Sequence, residues 1–340
     1  MKKILLIAMS LIFTSAIIAG DASRKGTNGA EEVLIPVGAR GIAVGGTFLA
    51  NITGLESIYY NPAGLDVIPR TEAMFSYVNY LADINISYFA VGTSLGDFGS
   101  LAFDLKSFDF GDIPITTLQL PDGTGQFFSP TFLTIGLTYS KVLTDRISIG
   151  TNFKFITESI QNTNASGFAV DAGVQYRFTE AFMFGVTIKN VGTNMAFSGG
   201  DLSQRSGVPG GTPGSVDGTY EIITESFQIP SQFELSMTYG LNINEQNNLL
   251  LASAFTVNNS LDDQLSFGLE YGFLDNFFVR GGYGLFLQNT EESIYGLTLG
   301  AGIDYNAGGD FSIIFDYAYK EVKEFPSANH VFTVKMAFFE

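Results

Sequence analysis

Most of the chain after residue 70 alternates between apolar and polar residues in segments of about ten. In Phe168–Phe178, for example, every second residue from Phe168 onward is apolar, and the residues between them are mostly small or polar. A period of two residues is typical of a β-strand with one apolar face and one polar face. The pattern therefore predicts a mostly β protein.

Counting these segments gives about 14 strands. The predicted strands span residues 70–80, 84–94, 98–108, 130–142, 146–159, 167–178, 181–191, 229–241, 247–257, 264–273, 276–287, 293–305, 310–320 and 329–339. An even number of antiparallel strands is typical of single-chain bacterial outer-membrane barrels.

The lengths of the connections alternate along the chain. Odd-numbered strands are followed by the longest links, Asp109–Ser129 and Gly192–Gln228, whereas the links after even-numbered strands are tight, as at Thr144-Asp145. Membrane barrels have long outer loops and short periplasmic turns. A soluble propeller or jelly roll also has many short strands, but it gives no reason for such sorting. The sequence thus predicts an all-β fold, a transmembrane antiparallel β-barrel of about 14 strands.

Composition narrows the class of partner. Mean hydropathy is +0.22, yet no apolar run beyond the N-terminus reaches the ~20 residues of a membrane helix. With no cysteine, the chain has neither disulfides nor a lipid anchor on a thiol. A net charge of −17 disfavours nucleic acid as a partner. Outer-membrane lipid is the partner expected for the apolar strand faces.

The first 20 residues have the features of an export signal. A basic start at Lys2-Lys3 precedes an apolar stretch from Ile4 to Ile18, and small residues follow at Ala19 and Gly20. We therefore expect residues 1–20 to be a cleaved signal peptide. The mature chain is expected in the outer membrane of a Gram-negative-type bacterium.

Residues 21–68 separate this leader from the first strand. They include apolar residues that need cover, such as Val33, Ile42 and Phe48. A barrel of about 14 strands has a lumen that its own side chains do not fill. We predict that residues 21–68 fold into that lumen as a hatch, and that residues 69–340 form the barrel.

The polar faces of the predicted strands carry charges of both signs. Such residues are expected to face the lumen, to form compensating ion pairs there, and to provide a wall against which a hatch packs. The lumen residues predicted in this way are Asp171, Arg177, Lys189, Glu234, Glu270, Arg280 and Asp316.

Two stretches of the predicted hatch carry a family likeness. Gly38–Phe48 reads GARGIAVGGTF and Tyr59–Leu65 reads YYNPAGL. Together they resemble the hatch of the FadL-like outer-membrane superfamily, and most of all its PorV/PorQ branch. The hatch motif implied by this resemblance consists of Gly38, Arg40, Gly41, Gly45, Gly46, Asn61, Pro62, Ala63 and Gly64.

The resemblance implies one of two functions. PorV-type members serve the type IX secretion system, which predicts a non-enzymatic export component with a translocon and its cargo as partners. FadL-type members pass long-chain fatty acids or other hydrophobic solutes, which predicts a channel instead. The loop segment Ser198–Thr219 is mostly Gly, Ser, Pro, Asp and Thr, and it offers little for an apolar groove. This polar loop favours the export function.

The other long loop contains apolar residues that could form a small patch for a solute or a protein. These residues are Ile113, Ile115, Leu118, Leu120, Phe127 and Phe128.

No catalytic or cofactor site is expected. The single histidine, His330, has no evident nucleophile or carboxylate beside it in the sequence. The glycines of the hatch motif lack the strand-to-helix setting and the Lys-Ser/Thr ending of a phosphate-binding loop. Acidic residues show no calcium-loop spacing. The sequence therefore predicts no enzyme activity, no cofactor and no metal.

Overall fold

A computed structural model of the chain describes residues 26–207, 216–274, 276–288, 295–308, 311–323, 325 and 327–338. The predicted signal peptide lies outside the described residues. Within the described part, fourteen long strands form one antiparallel sheet. They are β1 (Thr71–Asn79), β2 (Asn85–Ser94), β3 (Ser100–Asp109), β4 (Thr131–Thr144), β5 (Ile147–Ile160), β6 (Thr163–Arg177), β7 (Phe182–Gly192), β8 (Gln232–Asn244), β9 (Asn247–Asn258), β10 (Gln264–Phe273), β11 (Phe277–Phe286), β12 (Tyr295–Gly308), β13 (Phe311–Val322) and β14 (Asn329–Phe338).

The sheet closes on itself. Each strand pairs with the next in sequence, and β1 also pairs with β14 from Thr71 opposite Phe338 to Asn79 opposite His330. No edge strand is left, so every strand has two neighbours with which to satisfy its backbone. The predicted 14-stranded antiparallel barrel is confirmed.

Strand positions agree with the sequence pattern to within a few residues. The largest shift at a strand start is at β6, which begins at Thr163 rather than at residue 167. The link before it is therefore only residues 161–162, and Gln161 adopts a positive φ of 52° to make the tight turn. Short connections otherwise gather at one end of the barrel, called here the turn end, and the longer ones at the other, the loop end.

The outer wall of the barrel is apolar. Among the large side chains exposed on it are Phe75, Phe89, Phe103, Leu137, Phe153, Phe168, Phe233, Leu251, Phe267, Leu299, Phe315 and Phe332. An apolar surface that encircles a whole barrel needs hydrocarbon around it rather than water. This belt identifies a transmembrane barrel. As for helices, none in the described ranges is long and apolar enough to cross a membrane.

Residues 26–70, called here the N-terminal segment, form short helical turns in place of strands. The α-helices are α1 (Ala39–Ala43) and α2 (Ser57–Tyr60), and the 3₁₀ turns are Glu31–Leu34, Phe48–Ala50, Gly54–Glu56 and Pro62–Gly64. Further 3₁₀ turns lie at Gly96–Phe98 and Gly200–Leu202. Such short helices are not stable alone and need packing against other parts of the protein.

Two loops at the loop end contain short strands that the sequence pattern did not predict. Ile113–Pro114 pairs with Phe127–Phe128, and Ser203–Ser206 pairs with Gly218–Glu221. Ser198–Gly199 adds to the outer end of β6. Pairs of two to four mostly exposed residues leave no alternating pattern in a sequence.

Candidate functional site

The N-terminal segment lies inside the barrel, and the wall contacts it from many sides. The strand residues that form hydrogen bonds with it include Ser76, Ser100, Ser140, Val174, Ser236, Thr298 and Thr333. These belong to β1, β3, β4, β6, β8, β12 and β14. Most of the apolar residues predicted to need cover are buried: Val33, Ile42, Val44, Phe48 and Leu49 are each at most 4% exposed, whereas Leu34 and Ile35 are half-buried.

Glycines on the inner face of the wall make room for this segment. A Cβ atom on Gly282 would lie 2.4 Å from the backbone of Val44 and Gly45, and one on Gly300 would lie 2.4 Å from the Cβ of Ala43. Further inward glycines that meet the segment in the same way are Gly150, Gly173, Gly185 and Gly268. Contacts this short leave no space for any side chain. The wall is shaped to hold the segment.

Three glycines of the hatch motif serve the fold of the segment itself. Gly38 has a φ of 85° and stands at the N-terminus of α1, where a Cβ would strike the Glu56 side chain. A Cβ on Gly64 would lie 2.0 Å from the carbonyl oxygen of Ile52. Gly41 packs against the ring of Tyr60, and its N–H donates to Glu56 Oε1 over 2.8 Å.

The Asn-Pro-Ala-Gly turn is bonded both to the rest of the segment and to strand β6. Asn61 is fully buried, and its amide nitrogen donates to the carbonyl oxygens of Leu49 at 2.9 Å and Val174 at 3.1 Å. Its side-chain oxygen accepts from the N–H of Ala63 and so caps the 3₁₀ turn that begins at Pro62. Aspartate or leucine could not make these three bonds together.

A continuous row of buried charges begins and ends in the N-terminal segment. Arg40 donates to both oxygens of Glu270 at 2.8 and 2.9 Å, and Glu270 also binds Arg280. Arg280 binds Asp316 at 2.6 Å. The row then passes through Lys335, whose ammonium lies 3.1 Å from Asp316 and 3.0 Å from Glu56 of the segment.

This row, called here the charge circuit, holds three positive and three negative groups. Burial alone would lower the pKa of Arg40, but the Glu270 carboxylate outweighs burial and raises it above its ordinary value. Buried charges that are fully paired fix one geometry, and removing one partner leaves a costly unpaired charge. The circuit therefore locks the segment against β10, β11, β13 and β14.

The other lumen residues predicted from the sequence divide into two groups. Asp171 binds Lys154 and accepts a hydrogen bond from the N–H of Asn190 at 2.7 Å. It lies where the pairing register between β6 and β7 shifts. The ammonium of Lys189 lies 3.4 Å from Glu234 and 4.1 Å from the centre of the Tyr59 ring. Arg177 lies in an exposed position at the turn end, where it lines a cavity together with Asn51 of the N-terminal segment. Its assignment to the lumen stays a prediction. The alternation puts it on the correct face, but it lies beyond the enclosed part of β6.

Three of the larger cavities adjoin the N-terminal segment. One of about 160 Å³ lies beside Gly45, Gly46 and Glu234, and one of about 300 Å³ opens at the turn end beside Asn51 and Arg177. The third, of about 590 Å³, lies at the loop end. These three cavities share no lining residue.

The loop-end cavity, called here the aromatic cavity, is lined by six aromatic side chains. They are Tyr80, Phe108, Phe110, Phe132, Phe197 and Phe227. Phe110 contacts Phe132 edge-on at 4.8 Å between ring centres, and Phe197 lies 5.7 Å from Phe227 on the other side. Its floor is the start of the N-terminal segment, where the Gly29 N–H donates to the carbonyl oxygen of Gln228. The volume is within the range of small-molecule sites.

Sequence reasoning did not find this cavity. The apolar loop residues expected to form a patch point elsewhere, since Leu118 is 97% and Phe127 60% exposed. Phe197 and Phe227 instead flank the polar stretch of the longest loop, which therefore does contribute an apolar groove. The sequence feature that could have indicated the cavity is the set of aromatic residues at the ends of the two long loops. These are Phe197 and Phe227 at one loop and Phe110 and Phe132 at the other. Glu56, the last residue of the charge circuit, was also not predicted from the sequence.

His330 has a structural partner. Its Nδ1 atom lies 2.8 Å from the hydroxyl of Tyr317, and the two rings stack at 6.1 Å. Within the described part of the chain, no cluster of three or more His, Cys, Asp or Glu side chains has the geometry of a metal site.

Comparison with known proteins gives a fold but no close relative. No protein-family model matches the chain, and no curated protein sequence matches it. Among solved structures, the toluene transporter TodX of P. putida is similar, with a TM-score of 0.57 and 13% identity over 90% of this chain and 99% of that one. CymD, a monoaromatic hydrocarbon channel, has a TM-score of 0.55 and 13% identity over 90% and 98% of the two chains.

A FadL homologue from Pseudomonas aeruginosa is similar to the same degree, with a TM-score of 0.54 and 13% identity over 89% of this chain and 98% of the homologue. At such identity the likeness is one of fold. The chain therefore shares the barrel fold of these proteins.

Proposed function

We propose that this protein is a non-enzymatic outer-membrane channel for small apolar solutes, with the N-terminal segment as a movable plug. The aromatic cavity carries the proposal. It offers about 590 Å³ between aromatic rings at the loop end, in contact with the plug. A concave site of this size with apolar walls is suited to a small apolar molecule.

The fold supports this function over the other one that the sequence suggested. TodX is a toluene transporter and CymD a monoaromatic hydrocarbon channel, and both share the barrel. The PorV/PorQ assignment and a role in type IX secretion draw no support from these structures. They remain predictions of the sequence alone, as do the cleaved signal of residues 1–20 and the hatch boundary at residue 68.

Transit requires the plug to move. The cavities at the loop end and the turn end share no lining residue, and the N-terminal segment contributes to both walls. A solute in the aromatic cavity therefore meets Ala30 and Glu32 before it reaches the lumen below. The charge circuit sets how strongly the plug is held, and the neighbouring lumen cavity of about 160 Å³ is the space into which it can shift.

Uptake by intact cells tests the proposal. The protein is expressed in a Gram-negative host without such a channel, and uptake of radiolabelled toluene is measured at a concentration that the lipopolysaccharide layer restricts. Wild-type cells are expected to take up toluene several-fold faster than vector cells. Phe110→Ala, which removes a cavity ring, should lower uptake, whereas Phe127→Ala, on an exposed ring outside the cavity, should not. Equal uptake by wild-type and vector cells would refute the channel.

A further inference from the structure

The aromatic cavity has a feature that a site for plain hydrocarbons does not need. Glu32 of the N-terminal segment and Glu158 of β5 line it together with the rings. Both are deeply buried, at 7% and 5% exposure. A buried carboxyl group is costly unless it has polar partners. The partners of these two groups therefore indicate what the cavity is built to receive.

The protein leaves acceptors in this wall unused. The two carboxyl groups are close enough for Glu158 to raise the pKa of Glu32. Within the described part of the chain, no N–H or hydroxyl group donates to Glu32 Oε1 or to the buried Asn28 Oδ1, and Asn28 also lines the cavity. Among the buried side-chain atoms without a partner, none that belongs to a cavity residue is a donor. A ligand that brings a donor would satisfy these acceptors.

The local charge has a definite sign. The cavity is lined by Glu31, Glu32 and Glu158, and among the lining residues that the structure describes, from Gly26 onward, none is a lysine or arginine. The nearby ammonium of Lys106 donates to the backbone carbonyl oxygens of Glu32 and Ile35 at 2.7 and 2.6 Å. Burial, and then the Glu158 carboxyl, raise the pKa of Glu32 to about 8. An anionic ligand would meet repulsion here.

From these observations, and resting on the proposed channel function, we propose that the aromatic cavity selects aromatic compounds that carry a hydroxyl or amino donor. Carboxylates, fatty acids included, are discriminated against. The phenyl rings hold the aromatic body, since ring pairs prefer edge-on and offset contacts. The Glu32–Glu158 pair and Asn28 accept the donor hydrogen.

Three probes of one size test the selection. The affinities of p-cresol, toluene and p-toluate for the purified wild-type barrel are measured by equilibrium dialysis. p-Cresol is expected to bind at least about tenfold more tightly than toluene. A hydrogen bond to a buried carboxyl group contributes a free energy that corresponds to about this ratio of affinities. p-Toluate is expected to bind at least about tenfold more weakly than p-cresol because its charge is of the wrong sign.

A double variant assigns the selection to the carboxyl pair. Replacing both members by leucine, Glu32→Leu with Glu158→Leu, removes the pair without leaving one unpaired carboxyl group. The preference for p-cresol over toluene should fall by about fivefold or more, while toluene affinity is kept or increased. Glu225→Leu is the matched control, because Glu225 is exposed and does not line the cavity. It should leave the preference unchanged.

The outcomes separate this inference from the channel function. If none of the three probes binds the wild-type protein, both the channel and the selection are refuted. If toluene binds as tightly as p-cresol, or p-toluate binds as tightly as either, the selection is refuted and the channel for apolar solutes stands. The wild-type ranking decides the inference even if the leucine variants do not fold.

Discussion

At the scale of single residues, glycines on the inner wall leave the space in which the plug packs. Gly282 and Gly281 are neighbours on β11, but the former faces the plug and the latter does not. The nearest atoms to a Cβ on Gly282 belong to the plug backbone, which cannot rotate aside, whereas a Cβ on Gly281 has its nearest neighbour at 3.8 Å. Adding one methyl group should therefore disturb the plug at Gly282 and have little effect on it at Gly281.

Gly282→Ala is predicted to weaken the seating of the plug by about 1–3 kcal/mol, the usual cost of overpacking. Trypsin cleavage after Arg40 in the folded protein, followed by mass spectrometry of the intact chain, measures this. The cleavage rate should rise about fivefold or more for Gly282→Ala and stay at the wild-type value for Gly281→Ala. Equal rates for the two variants would show that the plug does not rest on this strand.

These roles were only partly readable from the sequence. Alternation along the strands identified Glu270, Arg280 and Asp316 as inward residues, and the structure joins them in one circuit. It could not identify Glu56, because the plug is irregular and has no period. It gave the face of Arg177 but not its depth along the barrel, which puts this residue beside the turn-end cavity.

At the scale of elements, the plug and the wall depend on each other through the charge circuit. Glu270 of β10 stands between Arg40 of the plug and Arg280 of β11. In the described part of the chain, Arg280 has a second carboxylate, Asp316, but Arg40 is seen in an ion pair only with Glu270. The loss of Glu270 therefore affects two cations, whereas the loss of Arg40 leaves Glu270 still paired with Arg280.

Glu270→Gln is predicted to lower the free energy of unfolding by about 3–5 kcal/mol, because it leaves a buried guanidinium without its carboxylate. Arg40→Met should cost less, and the double variant should cost less than the sum of the two. Chemical unfolding in lipid vesicles, followed by far-UV circular dichroism, measures each value; the chain has no tryptophan to follow.

Glu245→Gln provides the control, since Glu245 is exposed at the turn end. A change within about 0.5 kcal/mol is expected there. If Glu270→Gln were as mild as this control, or if the single losses simply added, the circuit would not couple plug and wall.

At the scale of the whole molecule, the strand pattern and the sorting of loop lengths predicted the barrel almost completely. Period-two alternation is a direct consequence of a wall with lipid on one side and a polar lumen on the other. The aromatic cavity could not be predicted in this way. It is lined by Phe110, Phe132, Phe197 and Phe227, which lie far apart in the sequence and come together only in the folded protein.

The whole account depends on the aromatic cavity as the place where an apolar solute is held. Crystals of the protein grown with 4-bromotoluene locate the solute directly through the anomalous signal of bromine. The account predicts a bromine peak inside the cavity, between the Phe110–Phe132 pair and the Phe197–Phe227 pair. Bromine found only against the outer wall of the barrel, with the cavity free of it, would contradict the account.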